Sequence, residues 1–123
     1  MKNTVLVVDK DNTVLDTLSH ILQDEKYAVD TAETGKKSIE KVQTKHYDAI
    51  LMDLDPWDMD RNELLRKMQE EAPESVFILM ACFPYWQQEI RTIDFGKYEC
   101  LLKPFSPDRL LAALKKRSKQ KNR

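Results

Sequence analysis

The sequence is poor in glycine and has no long apolar run, and each shortage excludes a class of site or protein. Only two of its 123 residues are glycines, and no stretch rich in Ser, Thr or Gly follows the first predicted strand. A loop of that composition is what cradles phosphate groups in many cofactor-binding proteins. No stretch approaches the roughly 18 apolar residues that a membrane-spanning helix needs. The sequence therefore argues against a phosphate-binding cofactor loop and predicts a soluble chain.

The sequence also has few cysteines and almost no net charge. Two cysteines, Cys82 and Cys100, with no apolar signal segment after Met1, predict a reducing, cytoplasmic setting with free thiols. Twenty Lys and Arg residues oppose 21 Asp and Glu residues, so no overall positive field predicts binding to nucleic acid or to a membrane. The length and the hydrophobic fraction of 41% suffice for one domain with one core.

Short apolar runs predict the strands of the fold. Residues 4–8, 49–52 and 76–80 are continuous apolar or β-branched runs, too short for helices, which is typical of strands buried on both faces. A weaker alternation over 27–32 predicts an edge strand, and residues 100–102 predict a short final strand. These five segments are candidates for a single sheet.

Amphipathic segments alternate with these strands. We expect a helix capped by Asn12, one after Thr34, one that ends before Pro73, one over 84–96, and a last one capped by Ser106. Alternating strands and helices with short connections predict an α/β fold, a parallel sheet with helices on both faces. We expect the domain to span 1–117, followed by a basic tail at 118–123.

Charged side chains follow three of the predicted strands. Asp9 and Lys10 come after the first strand, Asp53 ends the third, and Lys103 ends the fifth. In a doubly wound sheet of order 2-1-3-4-5, strands one and three are neighbours, and ligands bind beyond their carboxyl ends. We therefore expect these four side chains to meet in one crevice.

The chain resembles the receiver domains of bacterial two-component response regulators, which have a flavodoxin-like (βα)5 fold. Three segments in register carry the resemblance: Val5-Leu6-Val7-Val8-Asp9, Tyr47-Asp48-Ala49-Ile50-Leu51-Met52-Asp53-Leu54 and Leu102-Lys103-Pro104-Phe105. The resemblance implies a signalling module rather than an enzyme, with Asp53 accepting a phosphoryl group from a phosphohistidine. It also implies that Lys103 binds this group and that the peptide before Pro104 is cis.

The acidic pocket departs from the family pattern. The family has two adjacent acids after the first strand, which hold Mg²⁺ with the acceptor and the backbone carbonyl at the position of Asp55. Here Asp9 is followed by Lys10. The charges of Asp9, Lys10, Asp53 and Lys103 already sum to zero, so we expect weak or absent Mg²⁺ binding at Asp9, Asp53 and Asp55.

Two further positions depart from the pattern that couples phosphorylation to output. Ala81 aligns with a hydroxyl residue that hydrogen-bonds the phosphoryl group, and Cys100 aligns with the aromatic switch residue. The first change removes a contact, and the second removes the ring whose movement reports phosphorylation. Both changes predict a muted switch.

Two functions stay open on the sequence alone. The first is a receiver that accepts a phosphoryl group on Asp53 from a sensor histidine kinase or phosphotransfer protein. The second is a phosphorylation-independent pseudo-receiver, an interaction module in which Lys10 is an internal countercharge. The resemblance also implies a homodimer through the face of the helix over 84–96 and the C-terminal helix. Nucleic acid is an expected partner only if an effector domain follows.

Overall fold

The fold is a doubly wound α/β sheet, in a computed structural model that describes residues 3–53, 58–82 and 98–121. Its strands are β1 (Thr4–Val8), β2 (Ala28–Ala32), β3 (Ala49–Asp53), β4 (Val76–Cys82) and β5 (Glu99–Lys103). The described helices are α1 (Asn12–Asp24), α2 (Gly35–Thr44), α3 (Arg61–Glu71) and α4 (Pro107–Lys121). All neighbouring strands are parallel, in the order β2-β1-β3-β4-β5, which confirms the predicted flavodoxin-like fold. The helix predicted over 84–96 lies outside the described residues.

Strand side chains alternate between two cores on opposite faces of the sheet. Each core pairs the central strands with two of the described helices, and full burial of one such side chain contributes about 1.5–3 kcal/mol. One core joins the sheet to α2 and α3, and its members include Leu6, Ile50, Leu79, Leu64 and Met68. The other joins the sheet to α1 and α4, and its members include Val7, Leu51, Ile78, Leu22 and Leu110. Burial on both faces explains why these strands are continuous apolar runs.

The side chains just before α1 and α4 accept hydrogen bonds from the first turn of each helix. Asp11, not the predicted Asn12, caps α1, because its Oδ1 accepts the Thr13 N–H at 2.9 Å. The prediction was wrong by one residue because Asp and Asn suit this position equally. Ser106 caps α4 as predicted, accepting the Arg109 N–H at 3.2 Å. The α4 backbone continues through Lys121, and the domain boundary at 117 stays a prediction.

The helices also bear on membrane insertion. Within the described part of the chain, none combines the length and the apolar content that crossing a bilayer requires.

A buried tyrosine ties the edge strand β2 to the segment before β3. Tyr47 is 2% exposed, and its hydroxyl donates to Asp30 Oδ2 at 2.6 Å. Lys45 Nζ lies 3.0 Å from the same oxygen. The hydrogen bond from Tyr47 is the largest cause that holds the pKa of Asp30 below its ordinary value, against the opposing effect of partial burial. This cluster therefore stabilises the charged form of Asp30.

We expect Asp30→Asn to reduce the loss of stability in acid. Because the pKa of Asp30 is lowered in the folded state, its contribution is present above the unfolded pKa, near 3.8, and disappears as pH falls through the folded pKa. Urea titrations from about pH 7 to about pH 2 measure this as a smaller drop in the free energy of unfolding. Tyr47→Phe, which removes the donor, should act in the same direction. Identical acid profiles in wild type and both variants would contradict the assignment.

Candidate functional site

Three charged side chains meet at the carboxyl edge of the sheet. Lys103 Nζ lies 2.6 Å from Asp9 Oδ2 and 3.3 Å from Asp53 Oδ2. The side chains of Asp9, Asp53 and Lys103 are 1%, 11% and 17% exposed. One ammonium group thus pairs with two largely buried carboxylates.

The sheet register explains how residues so far apart in sequence come together. Val8 of β1 pairs with Met52 of β3, so Asp9 and Asp53 follow at the same level of neighbouring strands. Lys103 ends β5, and the peptide that joins it to Pro104 is cis, as the resemblance implied. The parallel strand ends therefore deliver both acids and the lysine to one edge.

The two carboxylates keep Lys103 charged. Burial acts to lower the pKa of its ammonium group, but hydrogen bonds and charge interactions with Asp9 and Asp53 outweigh burial and raise that pKa. Asp9 is held on its other side as well, because its Oδ1 accepts the Asp11 N–H at 3.0 Å. Both oxygens of Asp9 therefore have donors within the protein.

A small cleft beside these charges is bordered by Lys10 and by the turn between β2 and α2. Its volume is about 10 Å³, roughly the space of one water molecule. The residues around it include Asp9, Lys10, Glu33, Thr34, Gly35 and Asp53. Three of the four side chains that the sequence predicted at this rim, Asp9, Lys10 and Asp53, therefore border one small space. Lys103, the fourth, contacts Asp9 and Asp53 beside it. Sequence reasoning missed the turn at 33–35, which reaches the site only through the position of β2 beside β1.

The remaining predicted site residues lie at different distances from this cleft. Ala81 is buried in β4, directly after Met80, which pairs with Asp53 in the sheet register. Cys100 is a half-buried cysteine that packs against the core shared with α2 and α3. Asp55 lies outside the described residues.

An apolar groove adjoins the charged cluster on the other side of Lys103. Its volume is about 700 Å³, and it runs between α1 and the segment after β5. Val14 and Ile21 of α1 line it together with Pro104, Phe105 and Lys103. Lys103 therefore borders both the groove and the cluster that it forms with Asp9 and Asp53.

Two curated proteins of similar sequence are named as regulators. The Streptococcus agalactiae protein named transcriptional regulatory protein DltR is 27% identical over 116 residues, which cover 94% of this chain and 52% of that protein. The Brucella ovis protein named cell cycle response regulator CtrA is 28% identical over 118 residues, covering 94% and 51%. The chain thus spans about half the length of the curated relatives it matches.

Solved structures with the same fold include receiver domains. A CheY-like response regulator receiver domain protein from Methanospirillum hungatei superimposes with a TM-score of 0.89 at 25% identity, covering 99% of this chain and 98% of that one. The chemotaxis response regulator CheY4 of Vibrio cholerae gives 0.78 at 29% identity, covering 94% and 98%. The protein-family model described as "response regulator receiver domain" matches residues 5–115 of this chain. The chain therefore belongs to the response regulator receiver domain family of two-component signalling proteins.

Proposed function

We propose that this domain accepts a phosphoryl group on Asp53 from the phosphohistidine of a sensor histidine kinase or phosphotransfer protein. The observation that carries the proposal is the position of the Lys103 ammonium group, 2.6 Å from Asp9 Oδ2 and 3.3 Å from Asp53 Oδ2. This arrangement supplies a nucleophilic carboxylate and a fixed cation next to it. Phosphoryl transfer depends mainly on such positioning and on stabilisation of charge.

The proposed step is an in-line displacement at phosphorus. A carboxylate oxygen of Asp53 forms the new O–P bond while the P–N bond to the donor imidazole breaks. The electron pair of the broken bond goes to the imidazole nitrogen, and the products are an aspartyl phosphate and histidine. Lys103 meets the negative charge on the equatorial phosphoryl oxygens, which it can reach from its place beside Asp53. Lys10, which borders the same cleft, adds a second positive charge.

The residues present do not fit Mg²⁺ well. Both oxygens of Asp9 already accept hydrogen bonds, from Asp11 N–H and from Lys103. In the family pattern a second acid that would attract the ion follows Asp9, whereas here Lys10 follows it and lines the cleft, whose volume is only about 10 Å³. We therefore assign the charge neutralisation in this pocket to lysine rather than to a divalent ion.

The proposed output is a small conformational change. Ala81 has no hydroxyl group to donate to a phosphoryl oxygen, so this site lacks one hydrogen bond, which contributes on the order of 1 kcal/mol. Cys100 has no ring to rotate inward, and it already packs against the core. These two side chains support a receiver whose surface responds weakly to phosphorylation.

A second candidate function is an interaction module that never takes a phosphoryl group. The neutral sum of charges at Asp9, Lys10, Asp53 and Lys103 favours it, because a neutral cluster is stable without any ligand. In that case Lys103 and Lys10 would fix one conformation of the carboxyl edge for a protein partner.

Intact mass measurement after incubation with a phosphodonor separates the two functions. Wild type is treated with acetyl phosphate and with a phosphorylated histidine phosphotransfer protein, each with and without Mg²⁺. We expect the mass of one labile phosphoryl group to appear in wild type, to be lost in Asp53→Asn, and to remain in Asp48→Asn. Asp48 is a matched control, since it is an exposed aspartate that binds Thr4 N–H at the start of β3. An unmodified wild type under all four conditions would leave only the interaction module.

A further inference from the structure

Asp58 connects the segment after Asp53 to the start of α2. Its Oδ1 accepts the Gly35 N–H at 2.9 Å, and its Oδ2 accepts the Lys36 N–H at 3.0 Å. One carboxylate thus satisfies two of the four N–H groups that the first turn of a helix leaves without partners. Burial acts to raise the pKa of Asp58, but these backbone hydrogen bonds together outweigh it and lower the pKa. The contact therefore favours the charged carboxylate.

Gly35 allows the close approach of this segment. A Cβ atom at Gly35 would lie 2.8 Å from Met59 Sδ and 3.2 Å from Asp58 Oδ1. The first distance is shorter than real Cβ atoms show and the second is tight, so any larger residue would require the Met59 side chain to shift and the Asp58 carboxylate to move by a few tenths of an ångström. Asp58, Met59 and Gly35 thus form one contact, which we call the α2 clasp.

The α2 clasp does more than cap a helix. Thr34 already caps α2 locally, because its Oγ1 accepts the Lys37 N–H at 3.0 Å. The second cap comes from a residue 22 to 23 positions further along the chain. The turn that it holds, residues 33–35, borders the cleft beside Lys10 and Asp53. The α2 clasp therefore links one wall of the cleft to Asp58 and Met59.

We propose that Asp58 is a positioning residue for the acceptor pocket. Through its hydrogen bonds to Gly35 and Lys36 it holds the turn at 33–35, which forms one wall of the cleft, and so sets the space in which an incoming phosphoryl group must align. The cleft has room for only about one water molecule, so a small displacement of this wall changes its shape substantially. The effect of Asp58 on the rate of phosphorylation rests on the proposed phosphoacceptor function of Asp53, whereas its effect on the shape of the cleft does not.

A matched pair of aspartates tests the proposal. Asp60 is also exposed and caps a helix, since its Oδ2 accepts the Glu63 N–H at the start of α3, and it does not border the cleft. Asp58→Ala and Asp60→Ala therefore remove the same charge and one helix cap each. Two quantities are compared: the backbone amide chemical shifts of Asp9, Lys10 and Asp53, and the initial rate of modification by acetyl phosphate.

Of these two variants, we expect only Asp58→Ala to shift the three amides and to slow modification. The expected slowing is on the order of tenfold, because a displacement of about 1 Å can cost a hundredfold in rate and a shift of one wall of the cleft is smaller than that. Asp58→Asn, which keeps one acceptor oxygen, should lie between Asp58→Ala and wild type. Gly35→Ala disturbs the α2 clasp from the other side and serves if Asp58→Ala fails to fold.

Two outcomes would overturn the positioning role. In the first, the pocket amides and the rate in the Asp58 and Gly35 variants match those in Asp60→Ala. In the second, wild type takes no phosphoryl group, which refutes the proposed function, and the pocket amide shifts in the Asp58 and Gly35 variants match those in Asp60→Ala, which refutes the positioning role. Shifts confined to the Asp58 and Gly35 variants would support the role in either case.

Discussion

Replacing Lys10 with aspartate is expected to raise the affinity of this domain for Mg²⁺ by at least roughly 30-fold. Two unit charges 4 Å apart in water interact by about 1 kcal/mol, and by half of that at twice the distance. Changing the side chain from +1 to −1 is a change of two unit charges, and opposite a divalent ion it amounts to four unit-charge interactions. At about 0.5 kcal/mol each, at the longer distance, the binding free energy of Mg²⁺ improves by about 2 kcal/mol. Lys10 borders the cleft together with Asp9 and Asp53, so the new carboxylate would stand beside two existing ones.

Isothermal titration calorimetry with MgCl₂ measures this change. Lys115→Asp is the matched control, because it makes the same change in net charge at an exposed position of α4. Its affinity for Mg²⁺ should stay at the wild-type value. A wild type that already binds Mg²⁺ with sub-millimolar affinity, or a Lys10→Asp variant that binds no better than Lys115→Asp, would show that Lys10 does not oppose the ion.

Replacing Lys103 with methionine is expected to lower the free energy of unfolding by about 2–4 kcal/mol. The change keeps the length of the side chain but leaves two largely buried carboxylates, on Asp9 and Asp53, without their shared ammonium group. Removing one partner of a buried ion pair typically costs about 3–5 kcal/mol. We place the expected cost slightly lower because the Lys103 side chain is 17% exposed and Lys10 borders the same cluster.

Urea unfolding at neutral pH measures the cost, and a second substitution identifies its cause. Asp9→Asn in the Lys103→Met background removes one of the two uncompensated charges and should restore at least half of the loss. Lys45→Met is the comparison, since it breaks the ion pair between Lys45 and Asp30. The side chains of these two residues are 50% and 33% exposed. Such exposed pairs contribute about 0–1 kcal/mol. Equal losses for the two lysine variants would mean that burial does not strengthen the Lys103 cluster.

Much of the fold follows from the sequence because its strands are buried on both faces. A continuous run such as 49–52 is too short for a helix and too apolar for a surface strand, so its assignment had few alternatives. Once the strands alternate with helices, right-handed crossovers leave few possible sheet orders. The charged residues at the carboxyl ends of β1, β3 and β5 were then bound to reach one edge of the sheet. Asp9, Asp53 and Lys103 were predictable together for that reason.

The parts that the sequence did not predict depend on distances between segments. Asp11 and Asn12 are equally suited to cap α1, and only the backbone path selects Asp11. Asp58 has an ordinary polar neighbourhood in the sequence, and its partners on α2 lie 22 to 23 residues earlier. Nor does the sequence tell that Lys103 lies closer to Asp9 than to Asp53, since that difference is set by side-chain packing at the edge.

Because Lys103 borders both the apolar groove along α1 and the carboxylates of Asp9 and Asp53, it couples binding in the groove to binding at the carboxylates whenever a ligand displaces it. Lys103 borders the groove with Val14 and Phe105, and the same ammonium group binds Asp9 and Asp53. A molecule that occupies the groove and displaces this side chain must alter the binding free energy at the carboxylates. Linkage is reciprocal, so a group attached to Asp53 must alter affinity in the groove by the same factor. Through Lys103, the affinity of the groove along α1 for a bound molecule can thus depend on whether Asp53 carries a group.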